Sequence, residues 1–465
     1  MRLAADWVAA AMAGTVVFGN GTREFTGVSI DTRTLAPGEL FIGLRGERFD
    51  GADFAQAAIG AGAAGLVVPR PRGRLLPRDT GVVVIEVDDT TAALQALAHA
   101  VRIDSGTKVV AITGSAGKTT TKEVAAEFLA ARYRVMRNRG NLNNHIGLPL
   151  SLMALTARPE IAVVEFGMNH AGEISTLVHV AEPEVRVWTN VGEAHLGFFT
   201  SVEAIADAKA EILEGATSGT VLVANADDPR IAARTASFAG RVVTFGIERA
   251  ADVRATALVD RGIEGVSAHV STPRGDMDLV TPLLGRGNLA NVLAATAVAI
   301  EFGIPLDQVA ERAARLRPAP RRGEILRLAK GVVVIDDSYN ANPDAMRRAL
   351  EVLRTAEGSS RRIAVVGEML ELGDRAVGLH QDVGTTVAAS RVDLLLTFGG
   401  PPARALADAA VAAGLPRERA RHVATSAEAA TLAAELTRPG DLVLVKGSRG
   451  VRGDVVVERL KAEFA

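Results

Sequence analysis

The chain has 465 residues, 48% of them apolar, and a formal charge of −2 from 52 basic and 54 acidic side chains. That length calls for two to four ordinary domains, and the near-neutral balance gives no electrostatic reason for a nucleic-acid or anionic-membrane partner. There is no cysteine, which excludes thiolate catalysis, disulfides and Cys-ligated zinc.

Met1–Gly14 reads as an amphipathic helix; its apolar run is too short for a signal peptide. No window approaches 18 uncharged apolar residues, so no membrane span is expected and a soluble, cytoplasmic protein is the default reading. The first hundred or so residues alternate short strands and helices. A polar stretch, Arg102–Lys108, then leads into the apolar run Val109–Thr113, a glycine loop and a helix. Further strands are predicted at Ile161–Val164, Val185–Val191 and Thr220–Ala224, with a helix over Val202–Gly215. Such alternation predicts a mostly parallel sheet covered on both faces. Asp252–Val280 alternates apolar and polar residues as a small antiparallel patch does, and a helix over Asn288–Phe302 follows. Beyond a Pro/Arg-rich hinge, Arg315–Glu324, a second series of strands is predicted at Val332–Ile335, Ile363–Val366, Leu394–Phe398 and Leu442–Val445. The fold class is therefore α/β in three domains. These are a small α/β domain over 1–105, a central doubly wound parallel sheet with the glycine loop and antiparallel patch over 106–317, and a C-terminal Rossmann-like doubly wound domain over 318–465.

The segment from Lys108 to Thr120 joins a strand, a Gly-x-x-Gly-Lys-Thr-Thr turn and a helix start. Gly114 and Gly117 permit close backbone approach to an anion, the N–H groups around Ser115, Ala116 and the first helical turn face it, and Lys118 adds a point charge. Thr119 or Thr120 supplies a hydroxyl to Mg²⁺ in this type of loop. In open α/β sheets ligands sit beyond the carboxyl ends of the strands. Glu165 directly follows one such strand and His195 another by a short loop, so both are candidates for Mg²⁺ ligation or its support. For a lone histidine the alternative is a surface or capped residue. In the helix from Ser201 to Glu214, Glu203, Asp207, Glu211 and Glu214 form the polar face. Lys209 instead falls three and four residues from Ile205, Ala206, Ile212 and Leu213, inside the apolar stripe. Two readings stay open there: a structural lysine, snorkelling or ion-paired, and a functional one with suppressed charge.

TGSAGKTT, VVEFGMN, NVGEAHL and ADAKAEIL occur here in an order that resembles the Mur ligase family of peptidoglycan synthesis. So do Ser29–Phe54, NRGNLNNHIGLPLSL, DDSYNANPDAM, VVGEMLELG and VLVKGSRG, and the likeness covers essentially the whole chain. The resemblance implies an ATP-dependent ligase that phosphorylates a carboxylate and passes the acyl group to an amine, releasing ADP and phosphate. Its implied substrates are a UDP-N-acetylmuramoyl tripeptide and D-alanyl-D-alanine, and its implied cofactors are ATP, Mg²⁺ and a CO₂-derived carbamate on Lys209. A monomer is expected. By the same resemblance Lys118 and Thr119 hold ATP phosphates and Mg²⁺, Glu165 and His195 serve the second Mg²⁺, and Asn291 reads adenine. Arg322 is the hinge arginine that meets the nucleotide, and Asp337 and Asn340 lie near ATP. Ser29, Asp31, Thr32 and Arg33 lie near the uridine diphosphate, with Asn144 and Asn342 as further substrate contacts. The chain departs from the family at Gly287 and His145, where the family usually has His and an acidic residue. The rival readings are a folylpolyglutamate synthase, which shares the loop and the lysine, and a nucleotide-binding module without chemistry.

Overall fold

The structure, a computed structural model, describes residues 2–46, 48–75, 81–138, 140–194 and 196–465. It is built on three principal sheets. The first runs Thr15–Phe18, Val83–Val87, Gly65–Pro69, Leu40–Ile42, Val28–Ser29, with only the outer pair at Thr15–Phe18 antiparallel. The second has nine strands. From its outer edge, Val135–Arg137, Ile161–Glu165, Lys108–Thr113, Val185–Trp188, Val221–Asn225, Arg241–Gly246 and Val253–Asp260 lie parallel, and Val266–Thr272 and Gly275–Thr281 complete it antiparallel. The third sets Glu324–Arg327 antiparallel on Val333–Asp337, followed in parallel by Leu442–Lys446, Arg362–Gly367, Leu394–Phe398 and Ala420–Val423.

The parallel strands are apolar on both faces because helices cover both. Ile161–Glu165, Val185–Trp188, Leu394–Phe398 and Leu442–Lys446 are buried at every position. The antiparallel patch is not a separate unit. Phe245 pairs with Val253, which splices it onto the edge of the central sheet. Two elements end earlier than their sequence pattern predicts. The strand from Val185 stops at Trp188, because Thr189 and Asn190 turn their side chains to the carbonyl of Ala116, at 2.8 and 2.9 Å. The helix from Val202 ends at Ala210 and tightens to a 3₁₀ turn over Glu211–Leu213. Glu211 is not simply a solvated face residue: its carboxylate accepts the N–H groups of Gly172 (2.6 Å) and Ser175 (3.0 Å), at the start of the helix Glu173–Ala181. Negative charge there meets the positive end of the helix dipole.

The helix Thr90–Ser105 joins the first sheet to the second. Asp89 caps its start by accepting the N–H groups of Thr91 and Ala92, and Gly106, at φ 66°, closes its end. Leu94, Leu97, Ala98 and Val101 form its buried stripe. Arg102 is also buried, donating to the carbonyls of Ala181 (2.8 Å) and Glu182 (3.0 Å) and to the carboxylate of Glu184 (2.7 Å). Glu184 in turn accepts the N–H of Val109 at 2.7 Å, so this one arginine fixes the helix to the strand that leads into the glycine loop. Among the described residues no helix is long and apolar enough to cross a membrane.

Arg102→Met keeps an unbranched apolar stem and removes the arginine's three hydrogen bonds. It is expected to lower the unfolding free energy by about 1–3 kcal/mol, since buried carbonyls are left without donors. Urea denaturation measures this, and an unchanged midpoint would show that the arginine contributes no net stability.

Candidate active site

The glycine loop runs from Thr113, at the end of its strand, to Lys118, where the helix Lys118–Leu129 begins. Both glycines are required by geometry. Gly114 has φ +148°, and a β-carbon on it would lie 2.0 Å from Oγ1 of Thr189. Gly117 has φ +83°, and a β-carbon there would lie 2.2 Å from Oδ1 of Asn291. Asn190, which sequence reasoning passed over although it begins NVGEAHL, shapes the loop. Its carbonyl accepts the N–H of Ser115 (3.0 Å) and its side-chain oxygen that of Ala116 (2.8 Å). Those two amides are thereby committed, and the anion-facing donors narrow to those from Gly117 into the first helical turn. Lys118 folds back and donates to the carbonyl of Gly114 at 2.6 Å, so its ammonium stands over the loop itself.

Glu165 is 4% exposed at the end of the neighbouring strand. One carboxylate oxygen accepts the hydroxyl of Thr119 (2.7 Å) and the other the amide of Asn143 (2.9 Å). Lys209 is 1% exposed. Among the described residues its ammonium has no hydrogen-bond or ion-pair partner. Burial foremost, then repulsion from Lys118, pushes its pKa well below the ordinary lysine value, with Glu165 and Glu211 opposing. Lys118 is shifted in the same direction, chiefly by burial. Loop, carboxylate and buried lysine thus form one electrostatic cluster.

The cluster opens into a cleft of roughly 900 Å³ whose far wall belongs to the third sheet's domain. Arg322 lines it, with its guanidinium 4.2 Å from the ring centre of Tyr339, while Arg321 pairs with Asp454 at 3.3 Å. The structure therefore separates two adjacent arginines that sequence could not. Asp337 pairs with Lys446 (2.6 Å), which also donates to the carbonyl of Asn340 (3.0 Å). Asn342 lines the cleft and caps the helix Pro343–Thr355 by accepting the N–H of Ala345. Asn291 is 5% exposed and lies between the hydroxyl of Thr121 (3.3 Å) and the side chain of Asn288 (3.1 Å). Thr120 also lines the cleft.

Other predicted residues fall elsewhere. Ser29, Asp31, Thr32 and Arg33 are not among the residues lining this cleft. Ser29 and Asp31 bond each other in a turn at the edge of the first sheet, and Arg33 grips the carboxylate of Asp31, whose pKa its guanidinium lowers to about 2. Asn144 caps the helix Gly147–Leu152 through the N–H of Gly147 at 2.8 Å, and it is Asn143, one residue earlier, that reaches Glu165. His195 lies outside the described residues. No group of three or more His, Asp or Glu that could hold a metal ion occurs among the described residues. Glu165 is the buried carboxylate here, and its bond to the Thr119 hydroxyl puts a second oxygen donor beside it, a pair whose chemistry fits Mg²⁺.

The two walls are clasped together. Glu193 pairs with Arg347 (2.9 Å) and Arg375 (3.8 Å), and its N–H donates to Asp344 (3.2 Å). The N–H of Gly197 donates to the carbonyl of Glu371 (2.8 Å), a cleft residue held at φ 64°.

The chain matches three domain families: "Mur ligase family, catalytic domain" over residues 24–102, "Mur ligase middle domain" over 112–299 and "Mur ligase, glutamate ligase domain" over 321–449. It is 36% identical over 438 residues to the UDP-N-acetylmuramoyl-tripeptide–D-alanyl-D-alanine ligase of Bacillus subtilis, covering 93% of each chain. Among solved structures, MurF from Acinetobacter baumannii superposes with a TM-score of 0.89 at 30% identity, covering 99% of both chains. MurF ligase from Thermotoga maritima in complex with ADP gives 0.83 at 29% identity, covering 94% of this chain and 97% of that one.

Lys209→Met fills the same apolar volume without the charge, so it is expected to raise the unfolding free energy below pH 8, by roughly 1 kcal/mol or more. The unfolded lysine titrates near 10.5 and the folded one well below it. Between those values the unfolded chain binds more protons, wild-type stability rises with pH, and the gap to the variant narrows. Chemical denaturation at several pH values measures this, and a pH-independent gap would mean that Lys209 is not a buried, charge-suppressed group.

Proposed function

This chain belongs to the Mur ligase family, and we propose the roles its residues take in that family's chemistry. It is an ATP-dependent amide ligase that adds D-alanyl-D-alanine to a UDP-N-acetylmuramoyl tripeptide, releasing ADP and phosphate. Whole-length kinship to such ligases favours this reading over a folylpolyglutamate synthase or a non-catalytic nucleotide module. The observation that carries the residue roles is the buried, charge-suppressed amine of Lys209, without a hydrogen-bond or ion-pair partner among the described residues, near Lys118 and Glu165.

A carboxylate is a poor acyl donor because oxide is a poor leaving group. The tripeptide's terminal carboxylate therefore attacks the γ-phosphorus of ATP, and ADP departs. The amine of the dipeptide then attacks the acyl-phosphate carbon, and a tetrahedral intermediate collapses with loss of phosphate and of the amine's proton. Every species is an anion or becomes one, so the protein's work is positioning and charge neutralisation. Lys118 and the free amides from Gly117 to Thr120 hold the phosphates, Ser115 and Ala116 shape the loop, and Arg322 approaches from the opposite wall. Asn291 faces the nucleotide from the adenine side, with Asp337 and Asn340 across the cleft. Thr119, Glu165, His195 and Lys209 as a carbamate form the proposed Mg²⁺ set. Mg²⁺ supplies charge neutralisation between phosphate oxygens when bound.

The carbamate follows from the burial. A lysine whose charge is suppressed presents a neutral amine, which attacks CO₂ and loses one proton to give an anion whose oxygens ligate as a carboxylate does. Residues 1–105 are assigned to the uridine-diphosphate end of the acyl substrate, with Ser29, Asp31, Thr32 and Arg33 at the nucleotide and Asn144 towards the peptide. Residues 106–317 are assigned to ATP, and 318–465, with Asn342, to the incoming dipeptide. The reaction belongs to cytoplasmic precursor synthesis and needs only a monomer.

Phosphate release from ATP is expected to require the UDP-tripeptide and to rise further with D-alanyl-D-alanine. Equal release without either substrate would refute the ligase reading. Lys118→Ala is expected to lose at least a hundredfold in turnover. Lys209→Arg is expected to be inactive, because guanidinium stays charged and forms no carbamate, whereas added acetate partly restores Lys209→Ala. A fully active Lys209→Arg would sink the carbamate.

A further inference from the structure

Gly287 sits in the first turn of the helix Gly285–Glu301, two residues after its start. Its backbone is not left-handed, so nothing in its φ calls for glycine, and glycine is less favourable in a helix than alanine. What occupies the missing side chain's place is Arg348, from the helix Pro343–Thr355 of the opposite domain. A β-carbon at Gly287 would lie 3.0 Å from Cδ of Arg348, 3.3 Å from Nη1 and 3.6 Å from Nε.

The other cations of the cleft are already committed. Arg347 pairs with Glu193 and Asp344, Lys446 with Asp337, and Arg286 with Glu248, Lys118 donates to the carbonyl of Gly114, and Arg322 and Arg449 lie 4.2 and 5.5 Å from the ring centre of Tyr339. Arg348 lines the same cleft, and among the described residues it has neither an ion pair nor a hydrogen bond. Its place along the helix fixes which part of a ligand it meets. Asn291 touches Gly117 of the phosphate loop. Gly287 lies four residues, about one helical turn or 6 Å, beyond Asn291. The γ-phosphate end of the site is on the other side, at Thr119, Glu165 and Lys209. Phe245, Ile247 and Leu284 line the cleft beyond the loop and give that end an apolar wall.

We infer that Arg348 is a nucleotide-binding residue that reaches across the domain boundary over Gly287 and lays its guanidinium against the base and ribose of the bound nucleotide. A planar cation on a purine face is a favourable stack, and guanidinium is the side chain suited to it. Gly287 is the small half of the pair: its bare backbone leaves the channel through which the arginine passes. The inference rests on the reading of this cleft as the ATP site.

Calorimetric titration of the full-length protein with ADP and with inorganic tripolyphosphate tests it. Arg348→Ala is expected to weaken ADP about five- to thirtyfold and to leave tripolyphosphate, which has no base, unchanged. In the assay the KM for ATP rises and that for D-alanyl-D-alanine does not. Gly287→Ala is expected to weaken ADP in the wild-type background and to have no further effect beside Arg348→Ala, because the two act through one contact. An unchanged ADP affinity in Arg348→Ala, equal losses for ADP and tripolyphosphate, or additive effects of the two substitutions would each overturn the inference. Failure of the wild-type protein to bind ADP would instead overturn the assignment of the cleft to ATP.

Discussion

The constraint on which the site depends is the burial of two lysines near one another, which suppresses positive charge at both before any anion arrives. Lys118 and Lys209 repel each other, and burial lowers the pKa of both. Glu165 is the one buried carboxylate between them that opposes this, and its oxygens are already engaged by Thr119 and Asn143. Two ammonium ions so placed would be destabilising, and the strain is relieved when Lys209 gives up its charge, which leaves Lys118 to meet the phosphates. The remainder of the fold serves to hold that arrangement rigid. The buried strands on either side of the loop's own strand hold it in place, and Arg102 ties that strand to a neighbouring helix through Glu184.

Two walls from different domains are then brought within side-chain reach of one another. The wall from the third sheet's domain contributes three cations that are each held in place: Lys446 by Asp337, Arg347 by Glu193 and Asp344, and Arg322 by the ring of Tyr339. The pairs of Arg347 are short-range, partly exposed contacts, of the kind that exchange readily for a better partner, whereas Lys446 is buried against Asp337.

Much of this was legible in the sequence because the determinants are local. The strand–Gly-x-x-Gly-Lys–helix segment needs no knowledge of distant residues, and neither does a lysine at the wrong place in a helical stripe. The α/β alternation is equally local, and the strands predicted for the central and third sheets fall within a few residues of their places, whereas Val135–Arg137, Arg241–Gly246, Glu324–Arg327 and Ala420–Val423 are not among those predicted. What sequence did not reveal depends on who comes near in space. Asn190 uses up two loop amides, and nothing in its neighbourhood says so. Asn143 and Asn144 are indistinguishable in a run of asparagines, yet one reaches Glu165 and the other caps a helix. Glu211 has the period of a solvent-facing residue and is a helix cap across an inter-helix gap. Arg321 and Arg322 part ways only because Asp454 is on one side of the chain and Tyr339 on the other.

The clasp at Glu193 bears on how such an enzyme is inhibited. A small molecule that mimics ATP must outcompete the cell's own nucleotide, whereas one wedged between Glu193 and Arg347 displaces an ion pair of the protein, about 3 Å long and partly open to solvent. Its potency would weaken in high salt. Resistance to it would arise at Glu193, Asp344 and Arg347, three positions on two domains, none of them on the phosphate loop.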